Sequence, residues 1–173
     1  MPQRALLSAF EEEFHKTKSL ADRAIDQVDD AALRIRINPH QNSIGVIIQH
    51  LAGNALSRWT DFMNSDGEKP DRDRESEFVD RQLSRSELLA LWERGWKCLF
   101  DALAFLGDAD LLRTVTIRRQ PHTVCQAIVR QIGHYGWHAG QIALIAKHVK
   151  GESWQYLTIP PGQTPQFNRK MGM

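Results

Sequence analysis

The feature that most limits the fold is a long periodic segment running from about His122 or Thr123, just after Pro121, to Gly151. Within it Ile128, Ile132, Tyr135, Ala139, Ile142 and Ala146 recur at three- and four-residue steps. At about 100° per residue they occupy one narrow sector, so the segment reads as a helix with one face committed to a core. Three other segments share that period. The first runs from Arg4 to Val28, with Leu6, Leu7, Phe10, Phe14, Leu20, Ala21, Ala24 and Ile25 on its apolar side. The second opens after "NPHQNS", where Asn42 or Ser43 can cap it, and runs to about Met63. The third opens at Ser84 or Ser86 and ends by Gly107, with Trp92 and Trp96 on its core face.

Between these segments the sequence predicts less order. "LRIRI" (Leu33 to Ile37) alternates like a short strand or extended connector, and "LLRTVTIRRQPHT" like a short extended connection. "NSDGEKPDRDRESEFVDRQ" mixes charges of both signs with Gly and Pro, which predicts a solvated loop and not a cluster of catalytic carboxylates. Residues 155–173, with three prolines, predict an irregular tail that wraps or hangs free. Four amphipathic helices with long connections after the first three imply an all-α fold, a four-helix bundle, in a single domain over residues 1–173.

A chain of 173 residues suits one such core and is short for two. Its formal net charge of +1 offers no broad field for nucleic acid or anionic membrane. Cys98 and Cys125 are too few and too far apart for a disulfide framework or a thiolate zinc site, and read as reduced packing residues. "MPQRALLSAFEEEF" lacks the apolar core of a secretory signal, and no apolar run reaches the length of a membrane span. A soluble, cytoplasmic protein is the expectation.

Function is suggested by polar stripes beside the apolar ones. In the fourth segment His134, His138, Gln141 and Ile145 fall together about a quarter turn from the core sector. In the second, His50, Asn54, Ser57 and Asp61 are displaced in the same sense from Ile44, Ile48, Leu51, Ala55 and Phe62. Brought together over a cleft at the bundle's edge, the stripes let His134 and His138, one helical turn apart, share a metal ion with His50. Three neutral imidazoles leave a position open for water, as catalytic sites do. The competing reading is that half-buried histidines merely hydrogen-bond backbone carbonyls.

Asn54 and Gln141 are candidates for orienting ligands or substrate, or for simply hydrating the cleft edge. Arg113, Arg118, Arg119 and Arg130 surround the start of the fourth helix and can recognise a carboxylate, or remain solvated. His148 reads as a surface residue, His122 as a helix-start residue, and His15 and His40 have no partner in the sequence. Trp137 and Leu144 point away from the core, which suggests that the tail or a second subunit covers them.

"IGVIIQHLAGNALSRWTDF" with its one histidine, and HxxxH in "RQIGHYGWHAGQIALIAKHVKG", resemble the metal triad of the DinB-like (YfiT-like) four-helix-bundle superfamily. "TDFMNSDGEKPDRDRESEF", "TVTIRRQPHTV" and "PPGQTPQFNRKMG" resemble one of its uncharacterised bacterial branches. The resemblance covers nearly the whole chain. It implies a bundle, frequently a homodimer, with a divalent ion on His50, His134 and His138, zinc or nickel before iron or manganese. It further implies a metal-dependent enzyme of thiol-dependent transferase or hydrolase type, with a low-molecular-weight thiol as cosubstrate. Against this stand a non-catalytic metal-binding or stress-response homodimer with a structural ion, and an interaction module without metal.

Overall fold

A computed structural model of the protein describes residues 4–173. It is predominantly helical, with four long helices: α1 (Ala5–Ile25), α2 (Ile44–Trp59), α3 (Arg85–Ala104) and α4 (Val124–Lys150). A short hairpin of β1 (Thr114–Ile117) and β2 (Gln120–Thr123) precedes α4, and a two-turn helix, α5 (Thr164–Lys170), lies near the C-terminus. Local chemistry sets the helix starts. Ser43 Oγ accepts from Val46 N–H, while Ser84 with Glu87 and Thr123 with Gln126 form reciprocal capping boxes.

α2 packs chiefly against α3 and α1 against α4, and α2 also meets α4 less extensively. Phe14, Trp59, Trp96 and Tyr135 fill the centre in edge-on and tilted contacts, and Trp59 Nε1 donates to Tyr135 Oη at 3.2 Å. Each large apolar side chain buried here contributes about 1.5–3 kcal/mol. The positions assigned to the core faces of α2 and α4 are buried, except Ile132, which is half-buried.

Several sequence expectations need correction. α2 stops at Trp59 and not near Met63, because Thr60 is extended and Asp61 takes a left-handed conformation (φ 48°). Leu33 lies in a single 3-10 turn (Ala32–Arg34), with extended chain but no strand after it. The tail is not irregular throughout: Pro165, in the first turn of α5, suits a helix start because its missing N–H would be unpaired there anyway. Before α5 the chain is tied to α1 and the turn after it, with Arg23 donating to Leu157 O and Gln155 N–H to Gln27 Oε1.

The hairpin positions the segment that matters most for the site. Its turn residues Arg118 and Arg119 are left-handed (φ 52° and 62°), as a tight two-residue hairpin turn demands, and both backbone N–H groups donate to the Asp66 carboxylate at 2.8 and 2.7 Å. Gly67 N–H donates to Thr116 O at 2.8 Å. The chain leaving α2 is thereby anchored to the hairpin and folds back across α2.

Candidate metal centre

Close packing of α2 and α4 brings the two histidine stripes together. His50 on α2 and His134 and His138 on α4 each offer a ring nitrogen, and these three atoms lie within 4.8 Å of one another. His50 Nε2 and His134 Nε2 are 3.3 Å apart. Two nitrogens bound to one tetrahedral ion at about 2.0–2.1 Å are separated by about 3.3–3.4 Å, so this pair already has the spacing that an ion requires.

The far side of two rings is fixed. His50 Nδ1 lies 2.8 Å from Glu77 Oε2. An ionised carboxylate only accepts, so Nδ1 carries a proton, and a neutral ring in this tautomer turns its Nε2 lone pair toward the cluster. His138 Nδ1 lies 3.0 Å from Gln141 Oε1, which imposes the same tautomer. Arg72 grips Glu77 side-on through one edge of its guanidinium, Nε to Oε1 at 2.7 Å and Nη2 to Oε2 at 2.8 Å, and its Nη1 donates to Glu68 Oε2 at 3.0 Å. Burial pushes the Glu77 carboxyl up, but the hydrogen bonds from His50 and Arg72 and the charge of Arg72 outweigh it, and the net shift is downward. Gly53 makes this approach possible: a Cβ there would collide with Glu77 Oε1.

Burial is also the main reason why His134 is pushed down to about 3 and His138 to about 4, with mutual repulsion among the histidines adding to it. Both rings are therefore neutral near pH 7, as ligands must be. In metal-free protein the unfolded chain binds protons at these histidines below about pH 6.5 while the folded chain does not. Stability should accordingly fall as pH drops from 6.5 toward 4. Chemical denaturation of chelated protein at stepped pH checks this, and a flat profile would show that the rings are solvated and titrate normally.

The cluster is not an open cleft at an edge. His50 is 4% exposed and His138 8%, and only His134 is half-buried. The cover is the mixed-charge segment expected to be a solvated loop. Asp71, Asp73 and Glu75 do face water, but Glu77 is buried, the Arg72 side chain is 5% exposed, and Phe78 stacks on the His50 ring with centroids 4.5 Å apart. One carboxylate of that run thus belongs to the site. A signal for it existed in α2, whose Val46, Ile47, Gln49 and Ala52 lie outside the assigned core face, so that the helix needed a cover from elsewhere in the chain.

Residues 3–163 match the family described as "Protein of unknown function (DUF1572)". The chain belongs to the DUF1572 family. The match takes in α1 to α4, all three histidines and Glu77, and stops just before α5. No curated protein matches the chain closely enough to lend it a function.

The other candidates in this DUF1572 chain fall into two groups. Gln141 bonds His138, and Asn54 Oδ1 accepts from Gln131 Nε2 at 2.7 Å across the α2–α4 contact, one turn along α2 from His50. Arg113 pairs with Asp110 on the surface. Arg118 and Arg119 hold Asp66 through their backbone, and the Arg118 side chain reaches Glu68 at 3.4 Å. No helix among the described residues is long and apolar enough to cross a membrane.

Proposed function

We propose that this DUF1572 chain is a DinB-like four-helix bundle that holds one divalent ion on His50, His134 and His138 and performs a metal-dependent transfer or hydrolysis. The convergence of three ring nitrogens, two of them with their other nitrogen hydrogen-bonded by Glu77 and Gln141, carries this reading. When bound, the ion supplies Lewis-acid chemistry, lowering the pKa of a water or thiol so that a nucleophile exists at neutral pH. The chain's own residues hold the proton on His50 Nδ1 and His138 Nδ1, orient both rings and keep bulk water from Glu77. Imidazole donors suit zinc and nickel, and also iron or manganese. A low-molecular-weight thiol is the cosubstrate suggested by the superfamily resemblance.

A non-catalytic protein with a structural ion is the second reading, favoured by the depth of His50 and His138. Metal analysis of protein purified without a nickel column tests both, with about one ion per chain expected. The cobalt(II)-substituted protein then separates them. Spectral perturbation by small anions or thiols supports the enzyme, whereas a site inert to every added ligand supports the structural ion.

A homodimer belongs to the same proposal. Trp137 and Leu144 are 68% and 57% exposed on α4, and Gly133, Gly136 and Gly140 beside them have open space where a Cβ would stand. Trp137 also stacks on the His138 ring at 5.7 Å, which would put the dimer face next to the site. Light scattering should give twice the chain mass at micromolar concentration, and a monomer there removes this part of the proposal.

A further inference from the structure

Between α2 and α3 lies a groove that the metal centre does not use. Its first part, about 590 Å³, is lined by Ala52, Gly53 and Leu56 of α2 and Leu91 of α3, with Glu77 standing between it and His50. Its second part, about 580 Å³, is mainly apolar, with Phe62, Met63, Ala102, Phe105 and Leu106 in its lining. Leu56, Thr60 and Arg94 line both parts, so the two form one continuous surface. Thr60 and Arg94 are exposed, which leaves that junction open to solvent. Each part falls within the range of about 300–1,000 Å³ typical of small-molecule pockets.

The charges along the groove are unevenly matched. In the second part Lys97 pairs with Asp101, and Asp61 accepts from Asn64 Nδ2. Arg94 makes no ion pair with any described residue, nor does its side chain donate a hydrogen bond to one. Around the first part Lys69 and Arg81 likewise have no ion-pair partner, and Asp71 and Asp73 supply the opposite sign, so that with Arg94 three cations stand against two acids. Arg72 and Glu77 cancel each other in the wall. Arg94 is thus a reachable guanidinium, placed where a net positive cavity meets an apolar one.

We infer that this groove binds a small amphipathic acid, with its carboxylate on Arg94 and its apolar body along the second part. Such a ligand meets both halves of the surface. Its chain takes the apolar lining out of water, and its carboxylate gives Arg94 the two-point acceptor that no side chain of the protein supplies. A neutral apolar molecule would leave the guanidinium unmatched, and a small anion would leave the apolar part wet. The inference goes beyond the metal-centre reading and does not depend on it, because none of the three histidines lines the groove.

The test uses full-length, metal-free, nitrogen-15-labelled protein titrated with octanoate, 1-octanol and acetate, with backbone amide shifts as the readout. Octanoate should saturate, with its shifts grouped in residues 52–63 and 91–106. It should bind about tenfold more tightly than octanol, as a hydrogen bond to a charged group provides. Acetate should not saturate at concentrations where octanoate does. In Arg94→Gln, octanoate should fall to the level of octanol while octanol itself is unchanged. Thr60→Trp, which fills the junction from an exposed position, should weaken both. Octanol binding as tightly as octanoate, a preference that survives Arg94→Gln, or no saturation at all overturns the inference. So do shifts grouped instead around the apolar cavity between Leu157 and Lys170. Groove amides that move with protein concentration alone assign the surface to a second copy of the chain and overturn it as well. Should Arg94→Gln not fold by circular dichroism, the three wild-type titrations decide the matter alone. Metal is absent throughout, so failure here leaves the metal centre standing.

Discussion

His138→Ala protein should bind no divalent ion at stoichiometric concentrations and should have no turnover, yet it should remain a cooperatively folded helical protein. The first part follows from geometry: with one ring nitrogen gone, only two imidazoles remain, and a soluble chelator or buffer competes easily with two. The second follows from the position of His138 at the margin of the core. Its neighbours Trp137 and Gln141 are exposed or half-buried, so the freed Gln141 Oε1 can turn to water and the space left can be hydrated. A loss of about 1 kcal/mol, typical of a point substitution, is expected in metal-free protein. The larger difference appears with metal present. At an ion concentration about a thousandfold above its Kd, binding adds about 4 kcal/mol to the wild type and nothing to the variant. Melting both proteins with and without zinc or nickel, with metal content and turnover of a thiol plus a chlorinated aromatic electrophile measured alongside, covers each part. If His138→Ala is unfolded at room temperature, the ion is a structural element and the second reading of the function takes over.

How far the sequence discloses this site depends on how each residue is held. His50, His134 and His138 sit on helices, where a period of 3.6 converts spacing into direction, so two stripes displaced to the same side of two apolar faces identify three residues that do come together. The capping residues Ser43 and Ser84, each one of two candidates in the sequence, are legible for a similar reason: the donor that each satisfies lies three positions along the chain. Glu77 is not legible in that way. It reaches His50 from a connection with no period, and its neighbours Asp73, Glu75 and Asp80 look the same in sequence but face water or pair at the surface. What selects Glu77 is tertiary: Asp66 tied to the hairpin turn, Gly53 leaving space on α2, and Arg72 folding over from the same segment.

Glu77→Gln is expected to lower metal affinity and stability together, by two separable routes. The amide has nearly the same shape, so packing against Gly53 is preserved, but it is neutral and it can donate. Against His50 Nδ1 a donating amide favours the tautomer with the proton on Nε2, the atom that must ligate, and loss of such a supporting partner typically weakens metal binding about 10–100-fold. Against Arg72 the substitution removes one member of a buried pair. Breaking such a pair typically costs about 3–5 kcal/mol, and the lower end is expected because Glu68 still accepts from Arg72 Nη1. Combining Glu77→Gln with Arg72→Met separates the routes. With no stranded guanidinium most of the stability should return, whereas metal affinity should stay low because His50 still lacks an obligate acceptor. Denaturant melts of chelated protein and competitive zinc titrations of the wild type and both variants measure the two quantities independently. If metal affinity recovers with stability in the double variant, Glu77 only holds the segment in place; if affinity never falls, the proton on His50 Nδ1 is not what prepares the site.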